Sequence, residues 1–330
     1  MTAVHMDHTY DQNSGTQKHW SAPLSEFMWT ALSSCTAHSS VTIADFGVAT
    51  GLNSCKFFKP LLEQFRAISD APVQLYHTDR PENHWSAVFA NIGNSADSYQ
   101  SVRNVYSFAA GQSFYKQNFP PNYLDIAYSS TAFHWLPQPF PINLLSQSPE
   151  TDPLLFEYFR KELTAQLRLR AIELKPAGHF IFNLVGSPLP SRTMFQPLIE
   201  VAVEMREAGL IPAGYLQNFP TPLVNDLPEA NSAVVKSLRE FELLETKIVT
   251  EEFPISQQYR ETGDLETYAK AFAGFSKGYL YPYFKGICTQ GEEGEALIQL
   301  FFTKVENHIR ARPDPINVTQ CYFHLRKIAS

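Results

Sequence analysis

Along the first half of the chain, short apolar runs alternate with longer stretches whose apolar residues recur at helical spacing. Val41–Phe46 (VTIADF) reads as a buried strand, and the loop Gly47-Val-Ala-Thr-Gly-Leu-Asn-Ser54 follows it. Asn53 or Ser54 is expected to cap the next helix, which runs to about Ser69. Val73–Thr78 reads as a second strand, Glu82–Ile92 as a helix, and Val102–Phe108 and Leu124–Ser129 as two more strands. The pattern from Pro153 to Leu174 predicts a long helix ending at the Pro176-Ala-Gly178 turn, and His179–Val185 (HFIFNLV) a fifth strand. Strands separated by helices predict an α/β fold, a doubly wound, mainly parallel Rossmann-like sheet with helices on both faces.

After Gly186 the texture changes. Helical patterns near 193–208 and 230–240 flank the proline-rich stretch NFPTPLVNDLP. A strand is expected at about 241–250, helical patterns at 262–285 and 292–311, and a closing strand over Ile316–Ile328, rich in β-branched residues. The organisation this predicts is an α/β core of 1–185 plus about 241–252 and 314–330. A mainly helical substrate cap of about 186–240 and 253–313 completes it.

Composition narrows the partners. The chain has 330 residues, 44% of them hydrophobic and 18% charged, the balance of a globular protein rather than a disordered one. A formal charge of −7 argues against nucleic acid or an anionic membrane as partner, since both call for a basic face. The cysteines at 35, 55, 288 and 321 form no Cys-x-x-Cys pair, and the ten histidines form no His-Glu-x-x-His arrangement. Reduced thiols and no metal site are expected. No signal-peptide core and no window of 18 apolar residues occurs, so a cytoplasmic location is expected. The 25 Phe and 15 Tyr suit either an aromatic-lined pocket or simply an aromatic core.

Ligands of open parallel sheets bind beyond the carboxyl ends of the strands, and three predicted loops lie there. The loop Asp45–Asn53 carries Gly47 and Gly51, which permit close backbone approach to a ligand. Asp79, just after the second strand, offers a carboxylate able to accept from two ribose hydroxyls. Gly111-Gln-Ser-Phe-Tyr115 offers an aromatic ring and a hydroxyl for an adenine. A strand, a glycine loop and an acid also describe nicotinamide-dinucleotide proteins. Here, however, the glycines read G-x-x-x-G rather than G-x-G-x-x-G, which favours a methyltransferase. A dinucleotide enzyme and a ligand-free structural domain remain the other readings of these residues.

Seven motifs, in order along the chain, resemble the SABATH family, the salicylic acid, benzoic acid and theobromine methyltransferases. Tyr10-Asp-Gln-Asn-Ser-Gly-Thr-Gln17 resembles Y-x-x-N-S-x-x-Q. IADFGVATGLN resembles I-A-D-L-G-x-x-x-G-x-N, Thr78-Asp-Arg-Pro81 resembles N-D-L-P, and Gly111-Gln-Ser-Phe-Tyr115 resembles G-S-F-Y with one extra residue. Tyr128-Ser-Ser-Thr-Ala-Phe-His-Trp-Leu136 resembles S-S-x-S-L-H-W-L, and Arg170-Ala-Ile-Glu-Leu-Lys-Pro-Ala-Gly178 resembles R-A-x-E-L-x-P-G-G. INVTQCYFHLRK resembles the family's last strand.

The resemblance implies an S-adenosylmethionine-dependent enzyme that makes the methyl ester of a small carboxylic acid. It implies that Ser14, Gly47, Asn53, Asp79, Ser113, Phe114 and Ser129 touch the donor, and that Asp45 shapes the glycine loop near the donor's methionine part. Arg80 stands where the family usually has Leu, making the adenine side more polar. Gln17 and Trp135 match the two donors that grip the substrate carboxylate. His134 lies beside them, either in the site or as a packed, hydrogen-bonded histidine. Thr131 replaces a usual Tyr and alters the substrate pocket. Phe219-Pro220 stands where some relatives have a Phe-Asn that helps hold magnesium, so metal independence is expected. A divergent member acting as a homodimer in secondary metabolism completes the expectation.

The chemistry agrees with neutral donors. An acid with a solution pKa of about 4 is already ionised and needs no base. A phenol or ring nitrogen would need one, and His134 would then have to serve. A non-catalytic binder of the donor or of a small acid is the reading from another class.

Overall fold

Val41–Phe46 (β1) and Leu124–Ser130 (β4) are buried along almost their whole length, because each sits inside a sheet covered by helices on both faces. The computed structural model describes residues 20–21, 23–145, 148–149, 151–211, 213–285 and 292–328. Helix α1 (Leu24–Ser34) precedes β1; then come α2 (Leu52–Arg66), β2 (Val73–Asp79), α3 (Trp85–Asn94), β3 (Val105–Gly111), β4 and β5 (Trp135–Ile142). Next are α4 (Pro153–Glu173), β6 (Leu174–Gly186), α5 (Gln196–Glu207), α6 (Ala213–Gln217), β7 (Phe219–Leu223) and α7 (Pro228–Lys236). The chain ends with β8 (Phe241–Glu252), α8 (Pro254–Thr262), α9 (Leu265–Lys285), α10 (Glu292–Ala311) and β9 (Asn317–Lys327).

Seven strands form one sheet in the order β3-β2-β1-β4-β6-β9-β8, and β5 pairs with β7 apart from it. The first five run parallel, while β9 lies antiparallel between β6 and β8. Chain order reverses at β1, whose neighbours are β2 on one side and β4 on the other. This is the switch point where a crevice opens in such sheets. The expected doubly wound α/β architecture is therefore present. Alternation along β1 splits the core: Ile43 packs with α1 and α2 on one face, and Ala44 and Phe46 with α4 and the later helices on the other.

Several boundaries differ from the expectation. Neither Asn53 nor Ser54 caps α2. The chain enters the helix through Gly51 in the left-handed region (φ 80°), so both residues already lie inside it. The third strand begins at Val105, because 99–101 form a short 3₁₀ turn. β6 begins directly at Leu174 and carries the Pro-Ala-Gly segment inside it, its register shifting against β4 there. The helix expected at 262–285 is present as Leu265–Lys285, and a separate helix not expected from the sequence, Pro254–Thr262, precedes it and ends at Gly263 (φ 69°). Finally, two strands not expected from the sequence appear: Trp135 begins β5, and the proline-rich NFPTPL supplies β7.

Candidate active site

The loops after β1, β2, β3 and β4 converge at the switch point around two adjoining clefts. The larger has about 1000 Å³ of atom-free space, part of it open to solvent, and the smaller about 480 Å³. Gly47, Ala49, Ser130 and Thr131 line both. Of the residues singled out in the sequence, Gly47, Asp79, Arg80, Ser113, Phe114, Thr131 and Trp135 line the larger cleft, and Asp45 and Asn53 the smaller. Ser14 and Gln17 lie outside the described residues.

The glycine loop is held from the second strand. Asp79 Oδ2 accepts from the Ala49 amide at 2.8 Å, and Oδ1 accepts from the Arg80 amide at 2.8 Å. Asn83 Nδ2 donates to the Ala49 carbonyl at 2.7 Å, so both sides of that residue are fixed while it sits at φ 50°. Gly47 has φ 86°, and a Cβ added there would lie 2.4 Å from the Ala132 Cβ. Only glycine fits between the loop after β1 and the loop after β4. Thr131 is β-branched yet has φ 51°, a strained position held by its amide's 3.0 Å bond to Asn183 Oδ1. Such strain recurs at functional sites, and here it aims the residue into both clefts.

The loop after β3 is braced from behind: Arg170 donates to the carbonyls of Phe114 (2.8 Å) and Lys116 (2.9 Å). The Tyr115 hydroxyl donates to the Trp135 carbonyl at 2.6 Å, tying that loop to the start of β5. Asp45 is almost fully buried, and burial together with the nearby Asp79 carboxylate pushes its carboxyl up to about 7.

Two sequence assignments land elsewhere. Ser129 lines neither cleft; its hydroxyl is fully buried and donates to the Phe46 carbonyl at 3.0 Å. Strand alternation puts Tyr128 and Ser130 on the cleft side instead, and both line it. His134 is likewise absent from the cleft lining. It is buried, and that burial pushes its imidazole down to about 4. It is a packed, neutral histidine. Residues missed in the sequence include Asn83, Ser130 and Tyr279. Strand periodicity signals Ser130; Tyr279 comes from α9, far along the chain, and carries no local signal.

Among the described residues, one group suits a metal ion, Cys35, His38 and Asp125, at the opposite end of β4. Lys175 Nζ already lies 2.9 and 2.8 Å from the two Asp125 oxygens.

A glycine cradle at the switch point, an acid after the second strand and a buried acid under the loop suit an adenosyl donor. The sequence profile of the family described as SAM dependent carboxyl methyltransferase matches residues 1–327. The chain belongs to this family. Its donor is therefore S-adenosylmethionine, and the SABATH resemblance holds. The carboxyl methyltransferase is 26% identical over 260 residues to a salicylate carboxymethyltransferase of Clarkia breweri, covering 70% of this chain and 71% of the relative. It is 23% identical over 192 residues to the methyltransferase LUC1 of Fusarium sp., covering 56% of this chain and about half (52%) of that protein. In fold it is similar to a solved loganic acid methyltransferase with SAH, with TM-score 0.75, 17% identity and 99% of each chain covered. No helix among the described residues is long and apolar enough to cross a membrane.

Proposed function

We propose that this carboxyl methyltransferase makes the methyl ester of a small, largely apolar carboxylic acid. The observation that carries the reading is the lining of the larger cleft. It is lined both by Asp79, Gly47 and Ser113, which suit the donor, and by Trp135, Leu136, Pro137 and Tyr279, which suit an apolar acid. S-adenosylmethionine supplies an electrophilic methyl on a cationic sulfur.

The protein's own groups do the rest. The glycine loop, Asp79, Asn53, Ser113 and Phe114 bind and orient the donor. The Trp135 indole N–H, with the Gln17 amide, holds the acceptor carboxylate by neutral hydrogen bonds that orient without strong ion pairing. No base is required for an ionised acid, and His134, outside the cleft, supplies none. The segments about 186–240 and 253–313, mainly helical, act as the substrate cap that excludes water. By the family resemblance the enzyme is a homodimer of secondary metabolism, and the sequence pattern supports a cytoplasmic location; sedimentation and localisation check these. Incubation with methyl-labelled donor and a panel of aromatic, terpenoid and aliphatic acids tests the reading. Base-labile label in ester products supports it; label stable to base, on nitrogen or phenol, overturns it.

A further inference from the structure

Asp45 is buried under the glycine loop, and the groups that act on it are neutral or acidic. Asp79 faces it from the end of β2, Cys55 and Ser54 from α2, Tyr128 from β4 and Tyr99 from the 3₁₀ turn. No cation among these described residues compensates it. The Ser54 hydroxyl hydrogen-bonds Asp45 and also lies 3.4 Å from His77 Nδ1. His77 Nε2 meets the Tyr99 hydroxyl, and Tyr99 donates to Ser107 Oγ at 3.2 Å on the edge strand β3. His77 is fully buried, so this chain of hydrogen bonds runs from the smaller cleft through the core to the sheet edge.

We infer that Asp45 reads the charge of the ligand: it holds a proton when no cation occupies the cleft and releases it when the cationic donor binds. Ser54, His77, Tyr99 and Ser107 are positioning residues that reverse their donor order as it does so. The inference rests on the donor-binding role proposed above. With Asp45 protonated, its O–H donates to Ser54, Ser54 to His77 Nδ1, His77 Nε2–H to Tyr99, and Tyr99 to Ser107. With Asp45 ionised, Ser54 must donate to the carboxylate. His77 Nδ1–H then donates to Ser54, its Nε2 accepts from Tyr99, and Tyr99 accepts from Ser107. One proton leaves to solvent, no charge is left on His77, and every buried group keeps a partner in both states. A neutral imidazole with two tautomers is the one side chain that permits the reversal. The direction in which burial and Asp79 move Asp45 agrees with a proton held in the absence of a cation.

Calorimetric titration of the full chain with S-adenosylmethionine from about pH 5.5 to 6.5, in buffers of different ionisation enthalpy, tests this. Binding should release close to one proton, and affinity should rise about tenfold over that unit of pH. S-adenosylhomocysteine, one positive charge poorer, should show a shallower rise. Asp45→Asn should flatten the profile. Nitrogen-15 shifts of His77 should move the N–H from Nε2 to Nδ1 on donor binding, and Ser54→Ala should abolish that exchange while leaving the proton release. A flat wild-type profile, an unaltered slope in Asp45→Asn, or an unchanged His77 tautomer overturns the inference with donor binding intact. Failure of the donor to bind at any pH instead overturns the donor-site reading itself.

Discussion

Arg170 and Glu173 sit one helical turn apart at the end of α4, both fully buried and joined by bonds of 2.6 and 2.9 Å. The pair is a clamp on the loop after β3. Arg170 donates to two of its carbonyls, Glu173 accepts from the amides of Asn118 and Phe119, and the guanidinium lies 4.3 Å over the Phe46 ring. Removing either partner leaves a buried charge without its counter-charge. Arg170→Ala or Glu173→Ala should therefore destabilise by about 3–5 kcal/mol, read by chemical denaturation. Glu173→Gln, which keeps an acceptor, should be milder. A loss under about 1 kcal/mol for Arg170→Ala refutes the clamp.

Gly47 makes a sharper prediction, because two separate penalties meet there. Its positive φ disfavours any side chain by roughly 1–2 kcal/mol, and a new Cβ strikes Ala132. Gly47→Ala should weaken binding of S-adenosylhomocysteine at least tenfold. Adding Ala132→Gly removes the collision but not the backbone strain, so the double variant should recover part of the loss. Full recovery would show that φ is irrelevant, and no recovery that the contact is.

Acid should destabilise the fold early. His77, His134, His179 and His324 are each pushed down to about 4 by burial, against an ordinary value of 6.5. The unfolded chain thus binds protons these sites refuse, and stability falls as pH drops from about 6.5 toward 4, each site contributing up to roughly 1.4 kcal/mol per pH unit. Asp45, raised instead, opposes them with the slope of a single site. Denaturation midpoints at about pH 7.5 and 5.5 decide this: a higher midpoint at the lower pH contradicts it.

His134→Asn tests the absence of a general base. The side chain is enclosed, neutral at ordinary pH and not in the cleft lining. An amide can replace its hydrogen bonding, so single-turnover rates should stay within about tenfold of wild type. A general base contributes 10²–10⁴-fold, so a loss of roughly a hundredfold or more with the fold intact would assign the base role after all.

The sheet was legible because its strands are short apolar runs such as VTIADF and LDIAYS, set between helical patterns. What was not legible depends on distant residues. β5 and β7 contain prolines at Pro137, Pro139, Pro141, Pro220 and Pro222, which propensity reads as loop; they become strands only by pairing with each other across about 80 residues. Capping chemistry at Asn53 and Ser54 lost to the geometry of Gly51. In the site, the acid and the glycines were visible as local motifs. Ser130 rather than Ser129 lines the clefts, because period-2 alternation turns neighbouring residues to opposite faces of the strand. Nothing near Tyr279 announces it, since only the path of α9 brings it to the cleft.

Trp135 carries the most demanding prediction, because its backbone and side chain have separate tasks. Its carbonyl accepts from Tyr115 and its Cα pairs with Leu223, so the main chain fastens β5 to both the donor loop and β7. Trp135 lines the larger cleft. Trp135→Phe keeps the main-chain bonds and most of the ring packing while deleting the N–H. A hydrogen bond to a charged acceptor contributes about 1.5–3 kcal/mol, so kcat/KM for the acid should fall roughly tenfold to a hundredfold. Donor affinity should stay level, since the role proposed for the lost group is toward the acid. Tyr115→Phe acts on the other half: it frees the Trp135 carbonyl and loosens the link between the two loops, so donor and acid binding should weaken together. Gln17→Leu should resemble Trp135→Phe, and the pair should be non-additive, because the proposed clamp has both donors on one carboxylate. Full kcat/KM in Trp135→Phe, or a loss that tracks donor affinity, would remove the indole from the acid-binding role.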